Sequence, residues 1–144
     1  MKAFSFKLEK YLDIKKFYED EAKIVLGKAV GVLAELESRI RSVAEERVRA
    51  AAAQYSPGNT TADFQQYMYY LLRLDNTKER LLIEAAQAEI KVEEARAVFI
   101  EASRERKVLD ELKNKDYKIY RKAMFAEEVK ALDDAGRVRQ LNPS

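Results

Sequence analysis

Two long runs of helix-spaced apolar positions, separated by one short turn-forming stretch, organise this 144-residue chain. The first run has its clearest stripe at Ala22, Leu26, Ala29, Leu33, Leu36, Ile40 and Val43. Its steps alternate between four and three residues, the a/d spacing of a coiled coil. Upstream the stripe is expected to shift to Tyr11, Ile14, Tyr18, Ala22 and Val25, a stutter or a broadened face. The second run carries Leu71, Leu74, Lys78, Leu81, Ala85, Ala88, Val92, Ala95, Phe99, Ala102, Arg106 and Leu109. Polar Lys78 and Arg106 interrupt it, as Arg47 interrupts the first; such breaks cost stability and fix register.

Between the runs lies Ser56-Pro57-Gly58-Asn59-Thr60-Thr61, and the other of the two prolines is Pro143. A chain broken once near its middle doubles back once. The expected fold is all-α: an antiparallel coiled-coil hairpin, forming one domain over residues 1–144. Its parts are a helix over about 7–55, a turn over 56–61, a longer helix over about 62–135 and a loose tail over 136–144. Thr60 or Thr61 suits the start of the second helix, with Asp63 favoured there by the helix dipole. Gly136 reads as a stop. At about 1.5 Å per residue the helices would measure about 75 and 110 Å.

A turn centred near Gly58 or Asn59 makes residue i face roughly residue 117 − i. Leu8 then lies near Leu109, Gly27 near Ile90 and Gly31 near Ala86. The Gly27–Gly31 spacing spells GxxxG, but its charged flanks exclude the membrane reading and leave close packing or flexibility. Residues from about 114 to 135 outrun the first helix. They carry Tyr117, Ile119, Tyr120, Met124, Phe125, Val129 and Leu132. Uncovered apolar groups mark an interface, unless Phe4 and Phe6 fold back over part of the segment.

Composition narrows the chemistry. The chain has no Cys and no His, which removes disulfides, thiolate and imidazole catalysis, and most zinc and haem sites. Carboxylates fall in mixed runs such as Glu19-Asp20-Glu21 and Glu93-Glu94, the pattern of solvated helix faces. No P-loop or dinucleotide fingerprint occurs. No enzyme activity, catalytic residue, metal or cofactor is expected.

Net charge is only +2, too small to signal nucleic-acid binding. Residues 1–55 carry 11 basic and 9 acidic groups, 56–102 carry 5 and 8, and 103–144 carry 11 and 8. Both ends are therefore mildly basic. The basic and aromatic groups of Lys113 to Lys122 are diluted by Asp116, with Asp110 and Glu111 alongside, so a stacking platform for RNA is weakly supported. No run of about 18 apolar residues exists, so no membrane insertion is expected. The start lacks the apolar core of a signal peptide, and a cytoplasmic location is expected.

Aromatic residues mark the other candidate surface. Tyr55, Phe64, Tyr67, Tyr69 and Tyr70 cluster beside the turn. Tyr67, Leu71 and Leu74 share a face, while Tyr69 and Tyr70 point elsewhere. The cluster either seals the hairpin tip or presents an interface, for which exposed Tyr is favoured.

Several motifs together resemble the FliJ family of the bacterial flagellar export apparatus. One is the opening Phe4-x-Phe6-x-Leu8-Glu9-x-x-Leu12, followed by Glu21-Ala22-Lys23 and Leu26. Another is Arg104-Glu105-Arg106-Lys107-x-Leu109-x-x-Leu112-Lys113, followed by Tyr120-Arg121, Glu127-Glu128 and Leu132-Asp133. The resemblance spans nearly the whole chain. It implies a non-enzymatic stalk, similar in shape to the central shaft of rotary ATP synthases. Such a stalk binds the flagellar export ATPase, promotes its ring assembly, engages the cytoplasmic domain of the export gate and interacts with export chaperones. It would sit in the cytoplasm, peripherally associated with the inner membrane. By this resemblance, Tyr117, Tyr120, Arg121, Met124 and Phe125 are the candidates for ATPase binding. Phe64-Gln65-Gln66-Tyr67 looks like the family's gate-facing segment, so Phe64, Tyr67, Tyr70, Leu71, Leu74 and Lys78 are the candidates there. The alternative is a coiled-coil chaperone or tether that works without an ATPase.

Overall fold

The computed structural model describes residues 2–141. Two helices, α1 (Glu9–Gln54) and α2 (Thr61–Leu141), pack against each other as an antiparallel hairpin, with the second the longer. The chain divides into two compact units, through both of which the helices run. One holds Glu21–Phe99 and includes the turn; the other holds Met1–Asp20 with Ile100–Ser144.

In the turn-bearing unit, burial picks out the expected seam. Ala22, Leu81, Ala88, Val92 and Ala95 are buried, and Leu26, Leu33, Leu36, Ile40 and Val43 are half-buried. The narrow stripe suffices because each helix needs to cover only one line of its partner. Arg47 interrupts the apolar seam of α1, which resumes at the buried Ala50, and reaches across to Asp75, with contacts of 2.6 and 3.3 Å.

The turn has its own chemistry. The Asn59 side-chain amide donates to the Ala53 and Gln54 carbonyls at 2.8 and 3.1 Å, satisfying two acceptors left over at the end of α1. Gly58 takes a φ of 89°, where a Cβ would be strained. Thr60 caps α2 reciprocally: its hydroxyl accepts from the Asp63 N–H at 3.1 Å, and its own N–H donates to the Asp63 carboxylate at 2.9 Å.

In the unit formed by the two chain ends, the seam becomes polar. Leu12 is 0% exposed, yet the next positions along α1 are Lys15 and Glu19, both half-buried. The stripe therefore continues through Leu12, Lys15, Glu19 and Ala22 without a stutter. The expected upstream stripe is corrected: Tyr11 and Tyr18 are 61% and 54% exposed, and Ile14 and Val25 are exposed as well. Apolar side chains were taken for the seam where ion-paired polar ones occupy it.

Three further expectations are corrected. Glu9 meets Lys113, and Arg47 meets Asp75, so residue i faces roughly residue 122 − i. Beside the turn, the Phe64 ring lies 6.0 Å from that of Tyr55. Gly27 and Gly31 are exposed, and a Cβ at either would meet nothing within 4 Å, so close packing is not their role. Gly136 lies inside α2, which continues to Leu141; of the expected tail, residues 142–144 lie outside the described residues.

Candidate functional site

Two surfaces carry the residues singled out from the sequence. The first lies in the unit of the chain ends. There the N-terminal segment does fold back on α2. Phe4 sets its ring edge against Tyr117 at 5.2 Å and tilts against Tyr120 at 5.5 Å. The Tyr120 hydroxyl donates to the Lys2 carbonyl at 2.8 Å, and Phe6 is buried. Lys113 reaches both Glu9 carboxylate oxygens, at 3.0 and 2.9 Å. The stretch from Lys113 to Tyr120 is thus covered in part.

Beyond Tyr120 every described residue of α2 is exposed. Arg121, Met124 and Phe125 stand here, with Val129, Leu132 and Val138 further along. Phe125 is 66% and Leu132 73% exposed. The five expected ATPase-binding residues are therefore divided: Tyr117 and Tyr120 touch the N-terminal segment, while Arg121, Met124 and Phe125 are exposed on the surface.

The second surface is beside the turn. Leu71, Leu74 and Lys78 are half-buried seam residues, so only part of each is available to a partner. Tyr67 is half-buried, and Phe64 is exposed beside Tyr55. Tyr70 is tied across the seam, its hydroxyl donating to Glu46 at 3.0 Å. This bond raises the Tyr70 pKa, with burial adding to the effect. Arg49 first, and then Tyr70, hold the Glu46 carboxyl below its usual range.

On the outward side of this segment the sequence marked Tyr69 but not Met68 and Leu72 beside it. Met68, Tyr69 and Leu72 are exposed and line shallow grooves with Gln65 and Asp75 on one side and Gln66 and Arg73 on the other. Their spacing of three and four residues was the available signal.

Part of the charge along the hairpin is paired across the seam. Arg106 donates to Glu19 at 2.9 Å and to Asp110 at 2.6 Å. Burial works against the Glu19 charge, but hydrogen bonds from Arg106 and Ser103 outweigh it and lower its pKa. Among the described residues, no cluster of carboxylates fit to hold a metal occurs, and no helix is long and apolar enough to cross a membrane.

The structure is a two-helix hairpin with ion pairs across its seam and exposed aromatic and aliphatic surfaces. The family model for the flagellar FliJ protein matches residues 4–142, and the chain belongs to the FliJ family, a component of flagellar export. No match was found among curated proteins or among solved structures.

Proposed function

We propose that this chain is the coiled-coil stalk of a flagellar export apparatus. It binds the export ATPase through the end of α2 and couples the ATPase ring to the cytoplasmic domain of the export gate through the turn-side aromatic segment. The uncovered apolar length of α2 beyond Tyr120 carries this reading. Phe125, Val129 and Leu132 are exposed, and large exposed apolar patches mark interaction sites. Tyr117, Tyr120, Arg121, Met124 and Phe125 form the ATPase-facing set. Phe64, Tyr67 and Tyr70, with the exposed edges of Leu71, Leu74 and Lys78, form the gate-facing set. Export chaperones use the remaining surface, and the protein works in the cytoplasm at the inner-membrane export apparatus.

The test is co-sedimentation with the cognate export ATPase in the presence of a non-hydrolysable ATP analogue. The wild-type chain is expected in a ring-sized species, and Met124→Ser with Phe125→Ser is expected to leave it. Binding unchanged by those substitutions overturns the assignment of the surface. No binding at about tens of micromolar overturns the ATPase partner. Protection of an unfolded client without any effect on the ATPase would then favour the chaperone or tether.

A further inference from the structure

In the unit formed by the chain ends, the two flanks of the seam differ. The α1 positions just after Leu8 and the seam residue Lys15 are Glu9 and Lys16, and Asp110 occupies the matching position after Leu109 on α2. That flank is charged. The positions just before Leu12 and Glu19 are Tyr11 and Tyr18, and Leu112 holds the matching position before Lys113 on α2. That flank is exposed and apolar apart from Glu105, which precedes Arg106 on α2. A two-stranded coiled coil ordinarily carries charges on both flanks. An apolar stripe widened to one flank is the pattern of helices that pack in a larger bundle.

The apolar flank is continuous with the hairpin seam. A groove between α1 and α2 is lined by Leu8, Tyr11, Lys15, Glu105, Val108 and Leu109, and Leu109 is itself a seam residue. Its polar members neutralise each other: Lys15 donates to Glu105 at 2.8 Å. The flank is thus neutral and can face an identical flank without like-charge repulsion.

We propose that two copies of this chain associate through this flank, in a two-fold arrangement that extends the seam into a four-helix bundle. A two-fold interface brings the same patch of both copies together. Tyr11 and Tyr18 are one heptad apart, so an antiparallel pairing sets Tyr11 of each copy against Tyr18 of the other. The exposed parts of Leu8, Tyr11, Ile14, Tyr18, Val108 and Leu112 offer on the order of 500 Å² per copy, ~1,000 Å² in all. That is the lower limit of a specific interface, which makes the dimer weak and reversible, with association in the range of about tens of micromolar. The flank excludes Arg121, Met124 and Phe125, so the proposal stands independently of the ATPase reading.

Sedimentation velocity of the full chain, over about 1 to 300 µM, tests it. The wild-type chain is expected to shift from monomer to dimer across the range. Tyr11→Ser with Tyr18→Ser is expected to weaken association at least about tenfold while circular dichroism shows unchanged helicity. Tyr69→Ser, an exposed tyrosine on the turn-bearing unit, is expected to leave it unchanged. Since the chain has no cysteine, a mixture of Tyr11→Cys and Tyr18→Cys chains gives a clean second readout. Oxidation is expected to yield mixed disulfide dimers well beyond the excess over either homodimer that random pairing of the two chains gives. A wild-type chain that stays monomeric throughout overturns the proposal and assigns the flank to a helix of another protein. Self-association that survives the double substitution, or is lost equally in Tyr69→Ser, overturns it as well.

Discussion

Arg106 of α2 reaches across the seam to Glu19 of α1, with the donor nitrogen 2.9 Å from the carboxylate. Both side chains are largely covered, at 24% and 18% exposure, and Arg106 also holds Asp110 on its own helix. A seam position that would ordinarily hold Leu is given instead to a charged fork. Such a group contributes more to register than to stability, because desolvation offsets much of the attraction. Arg106→Leu is expected to lower the melting temperature, since it leaves Glu19 covered and unpaired. Arg106→Leu combined with Glu19→Leu is expected to recover the loss or exceed it. Thermal denaturation followed by circular dichroism over the full double-mutant cycle checks this.

Leu12 separates the observed seam from the stripe expected one residue earlier. Leu12→Ala is expected to cost about 2–4 kcal/mol, the range for a fully buried Leu, and Tyr11→Ala less than ~0.5 kcal/mol, as for an exposed position. Urea denaturation of both variants decides between them. Equal costs would return the seam to the Tyr11–Ile14–Tyr18 line.

Gly27 and Gly31 sit in the middle of α1 with open space where a Cβ would go. Glycine in a helix interior costs roughly 0.5–1 kcal/mol against alanine. Gly27→Ala and Gly31→Ala are each expected to stabilise the hairpin by about that amount in the same denaturation assay. Destabilisation would mean that a backbone approach, here or in a complex, requires these glycines.

Stability is expected to fall in acid. Burial opposes the Glu19 charge, but Arg106 and Ser103 lower its pKa, and Arg47 lowers that of Asp75. A carboxyl whose folded pKa lies below its unfolded value contributes stability that is fully present above the unfolded value. That contribution is lost as pH falls through the folded value. The melting temperature is therefore expected to hold from neutral pH to about pH 5 and to decline below about pH 4. Glu19→Gln is expected to flatten that decline. An acid slope identical in wild type and variant would remove Glu19 from the account.

Much of the architecture was legible in the sequence because its signals are local. The three-and-four spacing from Ala22 to Val43 and from Leu71 to Leu109 describes one helix face at a time. The Pro57-Gly58-Asn59 punctuation and the Thr60/Asp63 cap act within a few residues. Their outcome, two helices joined by one turn, needs no distant information. The polar seam at Lys15 and Glu19 was not legible. A charged residue reads as solvent-facing unless its partner is known, and Glu105 and Arg106 lie about ninety residues away in sequence.

The candidate surfaces divide in the same way. The sequence alone marked out the aromatic residues near the turn and the apolar residues of the last part of α2. Which of them are free was a tertiary question. Phe4 packs against Tyr117 and Tyr120, Lys2 accepts from Tyr120, Glu46 claims Tyr70, and the seam claims Leu71 and Leu74. Helix identity, turn position and the apolar seam of the turn-bearing unit follow from periodicity and backbone chemistry close along the chain. Register, the polar seam and the exposed sets depend on which residues meet across the hairpin. That pairing is displaced by about five residues from the one expected of a turn centred near Gly58, and local spacing does not contain the displacement.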